Sequence, residues 1–124
     1  MSGKNGRLFL SLLRMNKICN LDDIKDGGSI GLTLEINGNL KMLIALRNGD
    51  RAFVYINSCP HIGTPLNLQA GKFMSHDKKY IICSTHGALF EIDTGHCIFG
   101  PCKDDYLDSL QIRIENGEIF GVFL

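Results

Sequence analysis

The sequence predicts an all-β domain of antiparallel strands, and three observations support this fold class. Apolar and polar residues alternate over several short segments, as expected for strands with one buried face. Asn-Gly dipeptides, which favour the positive backbone angles of tight hairpin turns, separate such segments at positions 37–38, 48–49 and 116–117. No stretch of about 11 or more residues shows helical spacing. We therefore expect an antiparallel β-sandwich.

The predicted elements follow one another with short turns between them. In chain order the predicted strands are Ile30–Ile36, Leu40–Leu46, Ala52–Ile56, Tyr80–Ile82, Leu89–Ile92, His96–Phe99, Leu110–Ile114 and Ile119–Phe123. The pair Phe73-Met74 is the predicted hairpin partner of the fourth strand, and residues 20–25 can form one helical turn. The third and fourth strands each lead into a Cys-containing loop.

Chain length and composition indicate one soluble domain. The chain has 124 residues, of which 44% are hydrophobic, so it can bury a core without disulfides. We expect an N-terminal extension over residues 1–16 and a single domain over residues 17–124. Lys and Arg together number 13, as do Asp and Glu, so no overall field attracts nucleic acid or an anionic membrane. A monomer is expected.

The N-terminal region and the cysteine count indicate a cytoplasmic protein. The apolar run Leu8–Leu13 is far shorter than the roughly 20 residues of a spanning helix, and no small-residue cleavage site follows it. Met15 is an alternative start. Five cysteines, an odd number, favour a reducing compartment over a disulfide-framed secreted domain.

Two short motifs carry the candidate chemistry: Cys-Pro-His at residues 59–61 and Cys-Ser-Thr-His-Gly at residues 83–87. Each supplies one thiolate and one imidazole. Within an extended segment, residues separated by one position point to the same face, so Cys59 and His61 can reach neighbouring metal atoms. Two bridged irons, one holding both sulfurs and the other both imidazoles, satisfy Cys59, His61, Cys83 and His86 together.

A structural zinc site is the alternative reading of these ligands, because two Cys and two His form a common tetrahedral zinc set. The usual zinc spacing leaves two or more residues between paired ligands. Only one residue separates Cys59 from His61. This spacing favours the iron cluster over zinc.

The two motifs resemble the cluster-binding loops of Rieske iron-sulfur proteins. The likeness is strongest over Cys59–Cys102, within a cluster-binding subdomain of about residues 57–102, and the flanking strand pattern agrees with that family's all-β fold. It implies a Rieske-type 2Fe-2S cluster with Cys59 and Cys83 on one iron and His61 and His86 on the other. Gly100-Pro101 resembles the third loop, which covers the cluster in that family.

The resemblance implies an electron carrier without a substrate of its own, and so not an enzyme. A flavin-dependent reductase would supply single electrons, and an oxygenase or another redox enzyme would accept them. A small Rieske subunit of a larger, nitrite-reductase-like assembly is the alternative. High-potential respiratory members place Ser and Tyr hydroxyls near the cluster, and the matching positions here are Ala88 and Phe90, so we expect a low reduction potential.

The remaining candidate residues receive structural interpretations. Cys19 is expected in the core of an apolar strand. Cys97 and Cys102 are close enough in sequence for a disulfide, but they are expected to be free thiols near the cluster. His76 and His96 are expected to be exposed. The acidic group of Asp104, Asp105 and Asp108 is expected to be solvated, with docking of a partner as the functional alternative.

Overall fold

The computed structural model describes residues 14–60, 65–66, 73–75, 77, 79–83 and 87–123. Nine strands and one 3-10 turn make up its regular structure. In chain order they are β1 (Arg14–Asn20), the 3-10 turn (Leu21–Asp23), β2 (Ser29–Ile36), β3 (Asn39–Asn48), β4 (Arg51–Ile56), β5 (Tyr80–Ile82), β6 (Leu89–Glu91), β7 (Cys97–Phe99), β8 (Ile112–Glu115) and β9 (Glu118–Phe123). The predicted all-β fold class is confirmed.

The strands form three antiparallel sheets of three strands each, with the orders β1-β9-β8, β2-β3-β4 and β5-β6-β7. The first two sheets enclose one apolar cluster, which we call the basal core. It is formed by the buried residues Leu21, Ile24, Leu43, Ala45, Val54 and Ile119. Across the described residues, no helix has the length and apolar content needed to cross a bilayer.

Two of the predicted Asn-Gly turns adopt the backbone conformation that makes this dipeptide favourable. Asn37 and Gly38 have φ values of 52° and 81°, and Asn116 and Gly117 have values of 52° and 74°. Positive φ at both central residues matches the twist of the flanking strands in a two-residue hairpin. These turns fix the register of the β2-β3 and β8-β9 hairpins.

β3 is the central strand of its sheet and is buried on both faces. Leu43 and Ala45 point into the basal core, while Ile44 and Leu46 point into a second apolar cluster on the opposite face. All four side chains are at most 1% exposed. The second cluster, which we call the distal core, lies between this sheet and the β5-β6-β7 sheet. It is formed by the buried residues Ile44, Leu46, Tyr55, Cys59, Leu66, Phe73, Ile81, Cys83, Ala88, Phe90, Cys97, Cys102 and Leu107. The continuous apolar run of β3 is therefore explained by its two buried faces.

The β5-β6-β7 sheet belongs to a long excursion of the chain between β4 and β8. The two ends of this excursion are joined by backbone hydrogen bonds. The Ile56 amide donates to the Asp108 carbonyl at 2.8 Å, and the Leu110 amide donates to the Val54 carbonyl at 2.8 Å. Residues 57–107 therefore leave the two sheets around the basal core, which we call the base, and return to them at adjacent points.

Some predicted strands are shorter in the structure. Among the described residues of the predicted Phe73-Met74 partner, only Met74 forms a bridge, to Ile81 of β5, although the Ile82 amide also donates to the Phe73 carbonyl at 2.9 Å. The regular part of β8 begins at Ile112 because the Leu110 amide bonds to β4. The predicted helical turn is the 3-10 turn.

Tyr55 links β4 to the excursion and provides a test of this packing. Its hydroxyl, in a side chain 2% exposed, donates to the Ile92 carbonyl at 2.7 Å. Burial, followed by the nearby Asp93 carboxylate, raises the pKa of Tyr55 from 10.0 to about 12. Because the folded protein favours the neutral phenol, this contribution to stability is complete below pH 10.0 and is lost as the pH rises towards 12.

We expect Tyr55→Phe to lower the free energy of unfolding by about 1 kcal/mol near neutral pH, since it removes the hydrogen bond to a buried carbonyl. The difference between wild type and variant should shrink as the pH rises above 10.0. Urea unfolding of both proteins from pH 7 to pH 11 measures this difference. A constant difference across this range would contradict the assigned role of the phenol.

Candidate metal centre

The two motif cysteines lie at the ends of strands that border the distal core. Cys59 follows β4 by three positions, and Cys83 directly follows β5. Their side chains are 1% and 0% exposed, and both belong to the distal core. The structure therefore brings these two predicted ligands into one buried apolar cluster. The predicted ligands His61 and His86 lie outside the described residues.

Asn57 holds the first ligand loop against the base. Its side-chain Oδ1 accepts a hydrogen bond from the Leu66 amide at 2.8 Å, while its own amide donates to the Met42 carbonyl at 2.8 Å. Asn57 is 7% exposed, and Leu66 is fully buried. A buried amide side chain that spans both sides of a loop reduces the conformations open to that loop. Sequence analysis missed this residue, whose only signal is a polar side chain just before the motif.

The second ligand loop is closed by hydrogen bonds between its two ends. The Cys83 amide donates to the Ala88 carbonyl at 2.9 Å, and the Gly87 amide donates to the Cys83 carbonyl at 2.7 Å. Gly87 has a φ of 69°, which a residue without a side chain adopts at little cost. The position of Cys83 is therefore fixed by its own backbone and by the β5-β6 hairpin.

The third loop contacts the second through Gly100. Gly100 has a φ of 107°, and a Cβ atom built on it would lie 2.8 Å from the Ala88 Cα and 2.9 Å from the Ala88 Cβ. Only a residue without a side chain permits this approach. The loop predicted from Gly100-Pro101 thus packs directly on the end of the second ligand loop.

Two further cysteines, Cys97 and Cys102, lie in the same distal core. They are 0% and 2% exposed, and their Sγ atoms are 3.1 Å apart as thiols. Burial, the hydrogen bond to Cys97 and the nearby charges of Cys97 and Cys59 together raise the pKa of Cys102 to about 12. The expectation of free thiols near the motif cysteines is thus met, and the two thiols lie in contact, as their spacing in the sequence allows.

The described surface beside Cys59 is acidic and aromatic. Ser58, Cys59 and Pro60 line a cleft of about 420 Å³ together with Asp105, Tyr106 and Asp108. Asp104, Asp105 and Asp108 are exposed, as predicted. The expected exposure of His96 is only partly correct, because its ring stacks on Tyr106 with centroids 4.9 Å apart and its Nε2 lies 3.1 Å from Asp104 Oδ1. His76 lies outside the described residues.

The described residues suit a sulfur-ligated cluster. Four of the five cysteines meet in the distal core, where low exposure excludes water and protects an iron-sulfur centre. Among the described residues, which do not include His61 and His86, no three His, Cys, Asp or Glu side chains form a metal-binding group. Two buried thiols on separate, hydrogen-bonded loops fit the sulfur half of the predicted ligand set.

Comparison with known proteins identifies the family. The model of the Rieske [2Fe-2S] domain matches residues 14–113, which is most of the chain. The chain belongs to the Rieske [2Fe-2S] domain family. This membership confirms the resemblance inferred from the two motifs, and with it the Rieske-type 2Fe-2S cluster as the cofactor. No curated protein matches the chain.

Solved structures share the fold at low sequence identity. The ferredoxin of carbazole 1,9a-dioxygenase from Nocardioides aromaticivorans IC177 is 20% identical with a TM-score of 0.66, and the match covers 86% of this chain and 95% of that one. A chain from a complex of reduced oxygenase and oxidized ferredoxin in carbazole 1,9a-dioxygenase is 23% identical with a TM-score of 0.66, covering 86% and 91%.

A larger protein contains a similar domain. The terminal oxygenase of carbazole 1,9a-dioxygenase from Novosphingobium sp. KA1 is 16% identical with a TM-score of 0.71. The match covers 87% of this chain but 29% of the oxygenase chain. The fold described here therefore occurs both in separate ferredoxins and as one part of a larger enzyme.

Proposed function

We propose that this protein is a Rieske-type ferredoxin that carries single electrons from a flavin-dependent reductase to an oxygenase or another redox enzyme. The observation that carries the proposal is the pair of buried cysteines, Cys59 and Cys83, at the ends of two strands within a Rieske domain. The structural similarity to ferredoxins, over 86% of this chain and over 90% of theirs, supports a carrier of similar extent. The matched domain begins at residue 14, and residues 14–16 pair with β9, so these three residues of the expected extension 1–16 would belong to the domain.

Cys59 and Cys83 would hold one iron of the cluster, and His61 and His86 the other. When bound, a cluster with two neutral imidazoles in place of two thiolates takes up one electron at a higher potential than an all-Cys cluster. The residues around the cysteines would shield this centre from water and hold it in place. Asn57 restrains the first loop by its hydrogen bond to Leu66, and Gly100 allows the third loop to pack on the second. Both features limit reorganisation of the protein during electron transfer.

The surface next to Cys59 supports docking of a redox partner. Asp105 and Asp108 are exposed there, and Tyr106, which lines the same cleft, is 58% exposed. Asp104, the neighbour of Asp105 in the chain, is also exposed. Exposed carboxylates steer a partner of opposite charge, and aromatic side chains provide contact area once it has docked. We infer that the partner carries a basic patch around its own redox centre. Docking by charge would weaken as salt concentration rises.

A catalytic role of the chain itself has little support in its residues. Once His61 and His86 are assigned to the cluster, the sequence retains only His76 and His96. His96 is engaged with Asp104 and Tyr106 on the surface. A two-His, one-carboxylate iron site of the kind found in oxygenases would need two histidines converging with a carboxylate. We infer that the chain supplies electrons to an enzyme and is not the enzyme itself.

Electron paramagnetic resonance of the dithionite-reduced protein tests the centre, and an electron-transfer assay tests the carrier role. A mixed Cys and His cluster and an all-Cys cluster have distinct average g values, while a structural zinc site would give a colourless protein without a signal. The carrier should then be reduced by a flavin-dependent reductase and reoxidised by an oxygenase component. A permanent complex isolated from the native host would instead indicate a subunit of a larger reductase.

We expect a reduction potential near the low end of the Rieske range, about −150 mV. Ala88 and Phe90 are 1% and 0% exposed in the distal core, and neither side chain can donate a hydrogen bond to the cluster. Phe90→Tyr should raise the potential, because an added donor favours the reduced, more negative cluster. Redox titration measures both values.

The matched control is Phe120→Tyr, which makes the same change in β9, away from the distal core. Its potential should equal that of wild type. A clearly positive potential for the wild-type protein would contradict the assignment of Ala88 and Phe90 to the positions of the missing donors.

A further inference from the structure

The pair Cys97 and Cys102 is not used by the proposed cluster, yet the structure places their sulfurs in contact. The two Sγ atoms are 3.1 Å apart, and the Cys97 thiol also lies 3.2 Å from the Phe99 carbonyl oxygen. A disulfide has a sulfur-sulfur distance of about 2.05 Å. Bond formation therefore requires the sulfurs to approach by about 1 Å, within the range of small side-chain rotations.

The backbone holds both cysteines in this arrangement. The Cys97 amide donates to the Asp105 carbonyl at 2.8 Å, and the Asp104 amide donates to the Cys97 carbonyl at 2.9 Å. The Asp105 amide in turn donates to the Cys102 carbonyl at 2.8 Å. On its other side, Cys97 pairs with Phe90 of β6. The two sulfurs are thus brought together by a hydrogen-bonded turn, before any bond forms between them.

We propose that Cys97 and Cys102 form a reversible disulfide and constitute a second redox site in this protein, with a hydroperoxide as the oxidant. The proposal does not depend on the proposed carrier function. A bond that closes such a short loop removes little entropy from the unfolded chain, so it contributes less to stability than one that closes a long loop. Its formation is therefore better suited to a reversible reaction than to holding the fold together.

The reaction balances with hydrogen peroxide as the oxidant. The peroxide oxidises one thiol to a sulfenic acid and is reduced to one water. The second sulfur then attacks the sulfenic sulfur, the S–S bond forms, and the S–O bond breaks. The displaced hydroxyl leaves as a second water with the proton of the second thiol. In total the two sulfurs lose two electrons and two protons, and a dithiol reductant reverses the change.

The position of Cys102 gives a small oxidant a path to the pair. Cys102 is 2% exposed, but its neighbours Pro101 and Lys103 are exposed on the surface turn. The Lys103 amide donates to the Gly100 carbonyl at 3.2 Å across this turn, and a local opening there would uncover the Cys102 sulfur. The opening would also remove the burial that raises the pKa of Cys102, so that its reactive thiolate forms more readily. Larger oxidants would react more slowly than hydrogen peroxide.

The experiment treats the cluster-loaded protein with hydrogen peroxide, then denatures and alkylates it for peptide mass spectrometry. All five cysteines should be alkylated before the treatment. After it, two fewer should be alkylated, and a single cross-linked peptide should join Cys97 to Cys102. Dithiothreitol should restore all five. The visible spectrum, recorded before denaturation, should keep its cluster bands throughout.

Three matched variants complete the test. Cys97→Ala and Cys102→Ala should each lose the cross-link, and Cys19→Ala, in β1, should retain it. The proposal is overturned if the oxidised wild type contains a Cys59–Cys102 link, if either cysteine ends as a sulfinic or sulfonic acid, or if the cluster bands disappear before any cross-link forms. Because the wild-type protein gives the decisive readout, poor folding of a variant does not affect the outcome.

Discussion

Replacing Cys83 by Ser is expected to abolish cluster binding. Cys83 is fully buried in the distal core, and its backbone is fixed by hydrogen bonds to Gly87 and Ala88. A serine hydroxyl is a much poorer iron ligand than a thiolate, and the fixed backbone would keep this hydroxyl in the position of the lost sulfur. The variant should be colourless when purified, and its iron and inorganic sulfide contents should be near zero. It should give no electron paramagnetic resonance signal after reduction.

The same loss is expected for Cys59→Ser, because both sulfurs would be needed to hold one iron. Cys19→Ser is the matched control. Cys19 lies in β1 and packs against the basal core, so its replacement should leave iron and sulfide at the wild-type level. Full iron occupancy in Cys83→Ser, or equal iron loss in Cys19→Ser, would overturn the ligand assignment. Circular dichroism of each variant separates loss of the cluster from loss of the fold.

The second large effect is expected for Gly100→Ala. The added Cβ would lie 2.8 Å from the Ala88 Cα, and its φ of 107° is strained for any residue with a side chain. The clash is with backbone, which cannot rotate away, so the second or third loop must move. We expect the free energy of unfolding to fall by about 3 kcal/mol or more. The cluster should also be released faster, since Ala88 closes the loop that carries Cys83.

Gly117→Ala separates backbone strain from the clash. Gly117 also has a positive φ, of 74°, but a Cβ there would meet no atom within 4 Å. We expect this control to lose only about 1 kcal/mol. Thermal unfolding and the rate of bleaching in a chelator measure both effects. Equal destabilisation by the two substitutions would show that Gly100 does not provide the close contact between the loops.

The base of the fold could be predicted well from the sequence, because the patterns that specify its strands and turns lie within short segments of the chain. Period-two alternation and the Asn-Gly turn at 37–38 are enough to specify the β2-β3 hairpin, whose register runs from the pair Ser29 and Leu46 to the pair Ile36 and Asn39. The apolar run of β3 also identified a strand, although its two buried faces became evident only from the sheets on either side.

The structure of the candidate site was less predictable because it depends on contacts between distant loops. The motif pattern identified Cys59 and Cys83, but nothing local to Asn57 shows that it bonds to Leu66. Similarly, the spacing of Cys97 and Cys102 allowed a contact without requiring it. The contact forms because residues 102–105 fold back onto β7 through backbone hydrogen bonds. Every residue type except proline can make such bonds, so the amino-acid composition does not reveal them.

The hydrogen bonds that join Ile56 to Asp108 and Leu110 to Val54 have a consequence for evolution and engineering. A segment whose entry and exit lie side by side can be exchanged for another of different length, provided that the new segment also covers Ile44 and Leu46 of β3. Changes in redox properties or in partner choice can therefore accumulate within this interchangeable segment while the underlying two-sheet platform stays the same. Transplanting residues 57–107 onto the platform of a related protein is the direct way to use this modularity.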